Sequence, residues 1–275
     1  MKRTDWRFGL LAAAVSVFCV SCCFAEKVRP VPVRLMSYNV RHCCGADQKV
    51  DIDRTVAAIL REKPDLAGIQ ELDCRSPNRS GGVDQPAELG RRTGMHATFA
   101  AGIKYPNNGG YGVAVLSKEK PLSVVRHPLP GREPRVLLLC EFKDFWFGTT
   151  HLSLQSTNRV KSVEIIRKAI GERSSNKPVF LTGDWNASPE SDTLVGFRKF
   201  MTVLSKEKSR TFHGFKPYKP GSERCIDYIA ISSPSELRYE VSDSYVIEDT
   251  VTSDHFPVVI ALQQRGWYQV NGTFE

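Results

Sequence analysis

Apolar stretches of strand length recur along this chain, and several follow one another with no helix between them. Residues 33–40, 66–72, 111–116, 135–142, 145–152, 178–182, 226–231 and 257–262 read as strands, and the fourth and fifth turn on Lys143-Asp144 as a hairpin. Only two segments carry a clear helical period. One is capped by Asp53, places Val56, Ile59 and Leu60 on one face and stops at Pro64; the other opens at Asn158 and lines up Val160, Val163, Ile166 and Ile170. A purely parallel, doubly wound sheet needs a crossover after each strand, usually a helix, and this chain has too few. The pattern predicts an α+β fold of two packed β-sheets flanked by helices. With 275 residues, 41% hydrophobic, and neither an internal repeat nor a low-complexity linker, residues 26–275 are expected to form a single domain.

The first 25 residues are set apart from that domain. Lys2, Arg3 and Arg7 precede an uncharged stretch from Phe8 to Ala25 whose apolar centre is Leu10–Val20, the pattern of a secretory signal peptide. A membrane anchor and lipid attachment at Cys22 or Cys23 are the alternatives. The expected location is therefore outside the cytoplasm: periplasmic, secreted or lipid-anchored at the cell surface, with no stable membrane span in the mature chain. Removing residues 1–25, with Lys2, Arg3, Arg7 and Asp5, lowers the net charge from +8 to +6. That balance suits an anionic partner, although no dense Lys/Arg run marks a nucleic-acid stripe. Five cysteines remain: Cys43, Cys44, Cys74, Cys140 and Cys225. An odd, sparse set is no disulfide framework; one or two bridges, or buried thiols, are both open.

Polar and ionisable residues stand where the apolar runs stop. Asn39 and Glu71 end the first two strands, His151 lies near the end of 145–152, and Asp184 and Asn186 follow Val179–Gly183. Asp227 sits within Cys225-Ile226-Asp227-Tyr228-Ile229, and Asp254-His255 immediately precedes Phe256. Singly, an Asp or Asn after a strand is ordinary turn chemistry, and a lone His is ordinarily a hydrogen-bonded structural residue. Asp227 is different, because a carboxylate between Ile226 and Tyr228 is expected to be buried and to need a partner. Together the set offers carboxylate and amide oxygens for a hard cation and histidines for proton transfer; zinc would want more His or Cys. No Gly-x-Ser-x-Gly elbow supports a serine hydrolase.

Seven motifs then occur in a fixed order: Ser37–Arg41 (SYNVR), Ile69–Leu72 (IQEL), Tyr111–Ser117 (YGVAVLS), Thr150–Leu152 (THL), Gly183–Pro189 (GDWNASP), Ile226–Ile229 (IDYI) and Ser253–Val258 (SDHFPV). In these the chain resembles the endonuclease/exonuclease/phosphatase superfamily, whose members include pancreatic-type deoxyribonucleases, abasic-site endonucleases, neutral sphingomyelinases and inositol polyphosphate 5-phosphatases. The resemblance implies a four-layered α/β-β/α sandwich like that of deoxyribonuclease I and a metal-dependent phosphoester hydrolase. By the same resemblance, Glu71 would be the principal metal ligand, helped by Asn39 and Asp254. Asp184 and Asn186 would orient the attacking water and the phosphate oxygens. His255 would act as general base or phosphate ligand, with Asp227 bonded to its ring. His151 would donate to a phosphate oxygen or to the leaving group; abasic-site enzymes have Asn there. Tyr111, Arg135 and Asn186 would contact substrate.

Mg²⁺ is the expected cofactor, with Mn²⁺ or Ca²⁺ as alternatives, and the chain is expected to be a monomer. A phosphodiesterase acting through a metal-assisted water is the leading expectation. A deoxyribonuclease-like endonuclease, a sphingomyelinase-type diesterase, a small-molecule or inositol phosphate phosphatase, and a toxin subunit or silent binding module are the alternatives. The substrate is thus nucleic acid, phospholipid or a small phosphate ester. The polar segment Arg75–Asp84 is read either as a cleft wall, with Arg75 or Arg79 reaching phosphate, or as an exposed loop, and Tyr105–Gly110 likewise. Trp267 and Tyr268 form at most a small apolar patch.

Overall fold

Asp51 accepts a hydrogen bond from the Arg54 N–H and starts the first helix, α1 (Ile52–Glu62), which ends on Lys63 in the left-handed conformation just before Pro64. In the computed structural model, residues 34–175, 177–217, 219–221 and 224–264 are described. The expected signal segment and the Trp267-Tyr268 pair lie outside the described residues.

The first strand, β1 (Arg34–Asn39), precedes α1, and β2 (Leu66–Cys74) follows it. Next come α2 (Gln85–Thr93), β3 (His96–Lys104), β4 (Gly110–Ser117), β5 (Ser123–Leu129), β6 (Arg135–Glu141), β7 (Trp146–His151) and α3 (Ser156–Ser174). The chain continues through β8 (Val179–Asp184), α4 (Asp192–Phe197), β9 (Met201–Val203), β10 (Asp227–Ser232), β11 (Tyr239–Val246) and β12 (Val258–Gln264). One sheet has the order β11-β12-β1-β2-β4-β3, the other β5-β6-β7-β8-β10-β9. Both are mixed: β1 runs parallel to β2 and antiparallel to β12, and β7 runs parallel to β8 while β8 and β10 are antiparallel.

Three apolar layers hold this together. Leu35, Val113, Val115, Leu138, Phe147, Phe180, Ile229 and Ile260 fill the space between the sheets. Met36, Tyr38 and Ile69 pack outward under Ile59 of α1 and Leu89 of α2. Leu139, Leu181 and Trp185 pack outward under Val163, Ile166 and Ile170 of α3 and Leu194 and Phe197 of α4. Full burial of each such side chain contributes about 1.5–3 kcal/mol. The result is the expected α/β-β/α sandwich. Several local expectations need correction. Asp53 lies inside the first turn of α1, where it binds Arg92, and Asp51 is the cap. The helix expected to open at Asn158 is α3, which begins at Ser156 after Gln155. Leu60 and Val160 face solvent, because each sits at the edge of its apolar stripe. The five described cysteines are buried free thiols, with no bridge among them. Among the described residues no helix is long and apolar enough to cross a membrane.

The sheets come into close contact beneath their common polar end. Gly68 of β2 faces Thr149 and Thr182 of the other sheet, and a Cβ there would strike the Thr182 hydroxyl and come within 2.8 Å of the Thr149 Cβ. Beside it, the Gln70 amide crosses the gap to donate to the Thr149 hydroxyl at 2.8 Å. This contact fixes how the ends of β1, β2, β7 and β8 face one another. Gly68→Ala is therefore expected to overpack the gap and cost about 1–3 kcal/mol, which for a domain this size lowers Tm by about 2–12 °C. A thermal melt of the variant checks this; an unchanged Tm would mean the sheets are free to part.

Candidate active site

Sheet register brings the strand-end residues together. His151 pairs with Asp184 across parallel β7 and β8, and Asp227 pairs with Asp184 across antiparallel β8 and β10. Asp184 thus has a neighbour on each side, one imidazole and one carboxylate. From the facing sheet, Asn39 ends β1, Glu71 sits in β2, and His255 lies just ahead of β12. Glu71 owes its position to a bulge: Ile69 pairs with Ala114 and Leu72 with Gly112, so Gln70 and Glu71 together oppose one residue. Glu71 adopts φ +60° there, a conformation costly for a side chain with a Cβ, and one that turns a strand residue out of the sheet's alternation.

Asp184 is the centre of the cluster. Its Oδ2 accepts from Asn39 Nδ2 at 3.0 Å and lies 3.4 Å from His151 Nε2 and 3.6 Å from His255 Nε2. Its Oδ1 accepts the Asn186 N–H at 2.9 Å. The same Asn39 amide nitrogen donates to Glu71 Oε1 at 2.9 Å, while its oxygen takes the Arg41 N–H at 3.0 Å. That last bond belongs to an unusual turn in which Arg41, His42 and Cys43 all have positive φ, 45°, 45° and 59°; each such residue costs on the order of 1–2 kcal/mol. Asn186, also at positive φ, donates its side-chain amide to the Leu152 carbonyl and ties the Gly183–Pro189 segment to Thr150–Leu152.

The two histidines are held in opposite charge states. His255 Nδ1 faces both oxygens of Asp227, at 2.9 and 3.2 Å, and Asp227 is itself buried. Burial alone would lower the His255 pKa, but the charges of Asp227 and Asp184 overcome it and lift it to about 10. His151 has the reverse environment. Burial and the charges of Arg135 and His255 hold its pKa well below the ordinary value. Arg135 Nη1 lies 3.3 Å from His151 Nδ1, and a guanidinium can only donate, so Nδ1 accepts and the proton of neutral His151 sits on Nε2, toward Asp184. Asp184 itself is raised to about 7, by burial first, against the lowering pull of His255.

Of the residues singled out in the sequence, Asn39, Glu71, His151, Asp184, Asn186, Asp227 and His255 meet at this one end of the sandwich, with Arg135 on His151. Glu71, His151 and Asp184 present ligand atoms within 4.8 Å of one another, as do Asp184, Asp227 and His255. Asp254 belongs to neither group; its carboxylate lies 3.9 Å from Arg41 and 3.5 Å from the Ser253 hydroxyl. Asn39 joins through its N–H rather than its oxygen. Tyr111 is buried, and its pKa is raised by burial and then by the charge of Glu71.

Sequence reasoning passed over Asp73. Two residues beyond Glu71 and wholly buried, it takes both Arg79 Nε and Nη2, at 2.9 and 2.7 Å, and the Ser80 hydroxyl. Arg79 then lies 4.9 Å over the Tyr111 ring. The Arg75–Asp84 segment is thus anchored against the site, and Arg79, not Arg75, is its inward residue. An Asp between the apolar neighbours Leu72 and Cys74 was the signal, of the kind that marked Asp227. Thr211 and Phe212 were also missed: Thr211 Oγ1 accepts the Asp227 N–H, and the Phe212 ring stands edge-on to His255 at 4.8 Å.

The family model for the endonuclease/exonuclease/phosphatase family matches residues 36–255. Comparison with curated proteins gives no match. Among solved structures, an endonuclease/exonuclease/phosphatase from Beutenbergia cavernae is 21% identical, with 86% of this chain and 72% of that one covered and a TM-score of 0.70. The mannosyl-6-phosphatase Bt3783 of Bacteroides thetaiotaomicron is 21% identical over 84% of this chain and 99% of that one, at a TM-score of 0.67. D. rerio TDP2, complexed with a single-strand DNA product, is 18% identical over 85% and 99%, at 0.65. At these identities the likeness is one of fold, whereas the family model spans most of the chain; the protein belongs to the endonuclease/exonuclease/phosphatase family.

Proposed function

We propose that the protein is an exported, divalent-metal-dependent hydrolase of phosphate esters. The observation that carries this reading is the placement of His255, held by Asp227, and of His151 on either side of the buried Asp184 carboxylate, with Glu71 alongside. A phosphate ester is anionic, and its transition state places more charge on the non-bridging and leaving oxygens. His255 as imidazolium supplies a fixed positive donor to such an oxygen. Neutral His151 supplies a second N–H, suited to the leaving oxygen. Asn39 and Asp184, linked to each other, supply the oxygens and N–H groups that align a water. Export rests on the pattern of residues 1–25 alone. The intact set Glu71, Asp184, Asp227, Asp254 and His255 favours an enzyme over a silent binding module.

A divalent cation fits the donor set. Glu71 and Asp184 give carboxylate oxygens, and the buried Asp184 carboxylate is costly to charge without a cation near it. Glu71 and Asp184 would hold it, and it would supply positive charge to the phosphate oxygens. Mg²⁺ or Mn²⁺ suits this oxygen-rich set. One structural neighbour is a mannosyl-6-phosphatase and another is complexed with a DNA product; these are phosphate esters of different kinds, which supports the bond type more than any one substrate.

Hydrolysis of an aryl phosphate ester with Mg²⁺, measured on residues 26–275, is expected to fall about 10²–10⁴-fold in His255→Ala and Glu71→Gln, with circular dichroism unchanged, and to stop with chelator. Turnover that survives both substitutions and chelator contradicts the proposal. The charge state of His255 also has a stability consequence. Because its folded pKa is raised, the stabilisation is complete below the ordinary histidine pKa and fades as pH climbs through about 10. In chelator, wild type is expected to melt above Asp227→Asn at pH 6 and to lose that margin progressively between about pH 6.5 and 10; a margin that grows with pH would contradict the assignment.

A further inference from the structure

A pocket of about 570 Å³ opens beside the catalytic cluster, on the His151 side. Its walls come from Ile103 of β3, from the 132–135 segment and from Ser153, Leu154 and Gln155. Arg135 and Pro134 also line a narrow cleft bounded by Tyr111 and His151, so the pocket shares a wall with the cluster. The walls are fixed in advance. The Pro134 carbonyl packs onto Gly102, where a Cβ would strike it. Arg159 donates to the carbonyls of Ser153 at 3.2 Å and Leu154 at 2.7 Å and pins the other wall.

The chemistry of the lining is mixed in a particular way. Arg135 is 8% exposed, and its Nε has no hydrogen-bond partner, a buried donor waiting for an acceptor. Glu133 brings a carboxylate that binds Arg135 and whose charge reaches Tyr111. Gln155 accepts from Asn158 at 2.6 Å through its oxygen, and its own N–H groups have no acceptor among the described residues. Leu154, 75% exposed, with Ile103 and Pro134, adds an apolar surface. Donors and an acceptor around an apolar patch match a ring that carries hydroxyls on its edge and C–H groups on its face. The volume holds one such ring. Arg132 and Arg135 leave the lining cationic despite Glu133, and the Glu133 carboxylate serves there as an acceptor for a ring hydroxyl, a group that a phosphate does not offer.

We infer that this pocket is the leaving-group subsite, and that the substrate is a phosphate ester of a single hydroxylated ring of monosaccharide size. The inference rests on the phosphoester-hydrolase reading above. Water adds its oxygen to phosphorus and the phosphorus–oxygen bond to the ring breaks. The ester oxygen stays with the ring product as a hydroxyl, taking one of the water's protons, and the phosphate product keeps the other.

The test compares a hexose 6-phosphate, a short oligonucleotide and an aryl phosphate ester as substrates of wild-type residues 26–275 with Mg²⁺, and of Gln155→Ala and Glu133→Gln. The expected result is a kcat/KM for the hexose phosphate at least tenfold above that for the oligonucleotide. In Gln155→Ala the hexose phosphate KM is expected to rise about fivefold or more at similar kcat, with a smaller change for the aryl ester. Glu133→Gln is expected to narrow the preference over the oligonucleotide. Preference for the oligonucleotide, or a Gln155→Ala effect equal on all substrates, overturns the subsite. Aryl ester turnover that is lost with chelator while the hexose phosphate is untouched also overturns it, and leaves the hydrolase reading standing. No turnover of any ester by folded, metal-loaded protein defeats the hydrolase reading itself.

Discussion

A carboxylate taken out of water must be repaid by hydrogen bonds or by opposite charge, and the active end of this molecule is arranged around one such group. Asp184 is almost wholly buried, and Asn39, Asn186, His151 and His255 converge on its two oxygens. Those partners come from both sheets, so the demand of one side chain couples the relative position of β1 and β8 to the site. The close contact at Gly68 and the Gln70 amide bridge serve the same end from beneath. Sandwich and site are in this sense one construction: the sheets can approach only where glycine and short polar side chains line the gap, and that is where the polar strand ends meet.

The charge arrangement follows from what lies behind each imidazole. Asp227 backs His255 and Arg135 backs His151, so chemically identical rings at similar distance from Asp184 carry different protonation. Neither backing residue needs to touch the reacting atoms to set the chemistry. Glu71 reaches the group through a bulge, and Asn39 is held by the left-handed turn that follows it. The local backbone cost at these positions is concentrated where geometry matters most.

Legibility in the sequence divided along the edges of the sheets. The eight strands read from apolar runs are the interior strands of the two sheets, β12, β1, β2 and β4 in one and β6, β7, β8 and β10 in the other. The four that escaped, β3, β5, β9 and β11, are the four edges. Interior strands here are buried on both faces and read as continuous apolar runs. Edge strands carry polar and breaking residues, as in Ser123-Val-Val-Arg-His-Pro-Leu129 or Tyr239-Glu-Val-Ser-Asp-Ser-Tyr-Val246, which guard against unwanted pairing and erase the pattern. The site was legible for the same reason: its residues end interior strands, where a polar side chain stands out. What sequence could not supply was direction. It named Asn39 and Asp254 beside Glu71 as ligands but not the atoms each presents: here the Asn39 amide nitrogen faces Glu71, the Asp254 carboxylate lies near Arg41, and Asp184 and His151 stand next to Glu71. Side-chain orientation depends on bulges and turns that spacing does not reveal.

Side-chain nitrogen NMR of the metal-free protein near pH 7.5 reads directly whether the two histidines flanking Asp184 hold opposite charge. The account predicts that His255 shows two protonated ring nitrogens and that His151 shows one, on Nε2. A neutral His255 together with a doubly protonated His151 would contradict it.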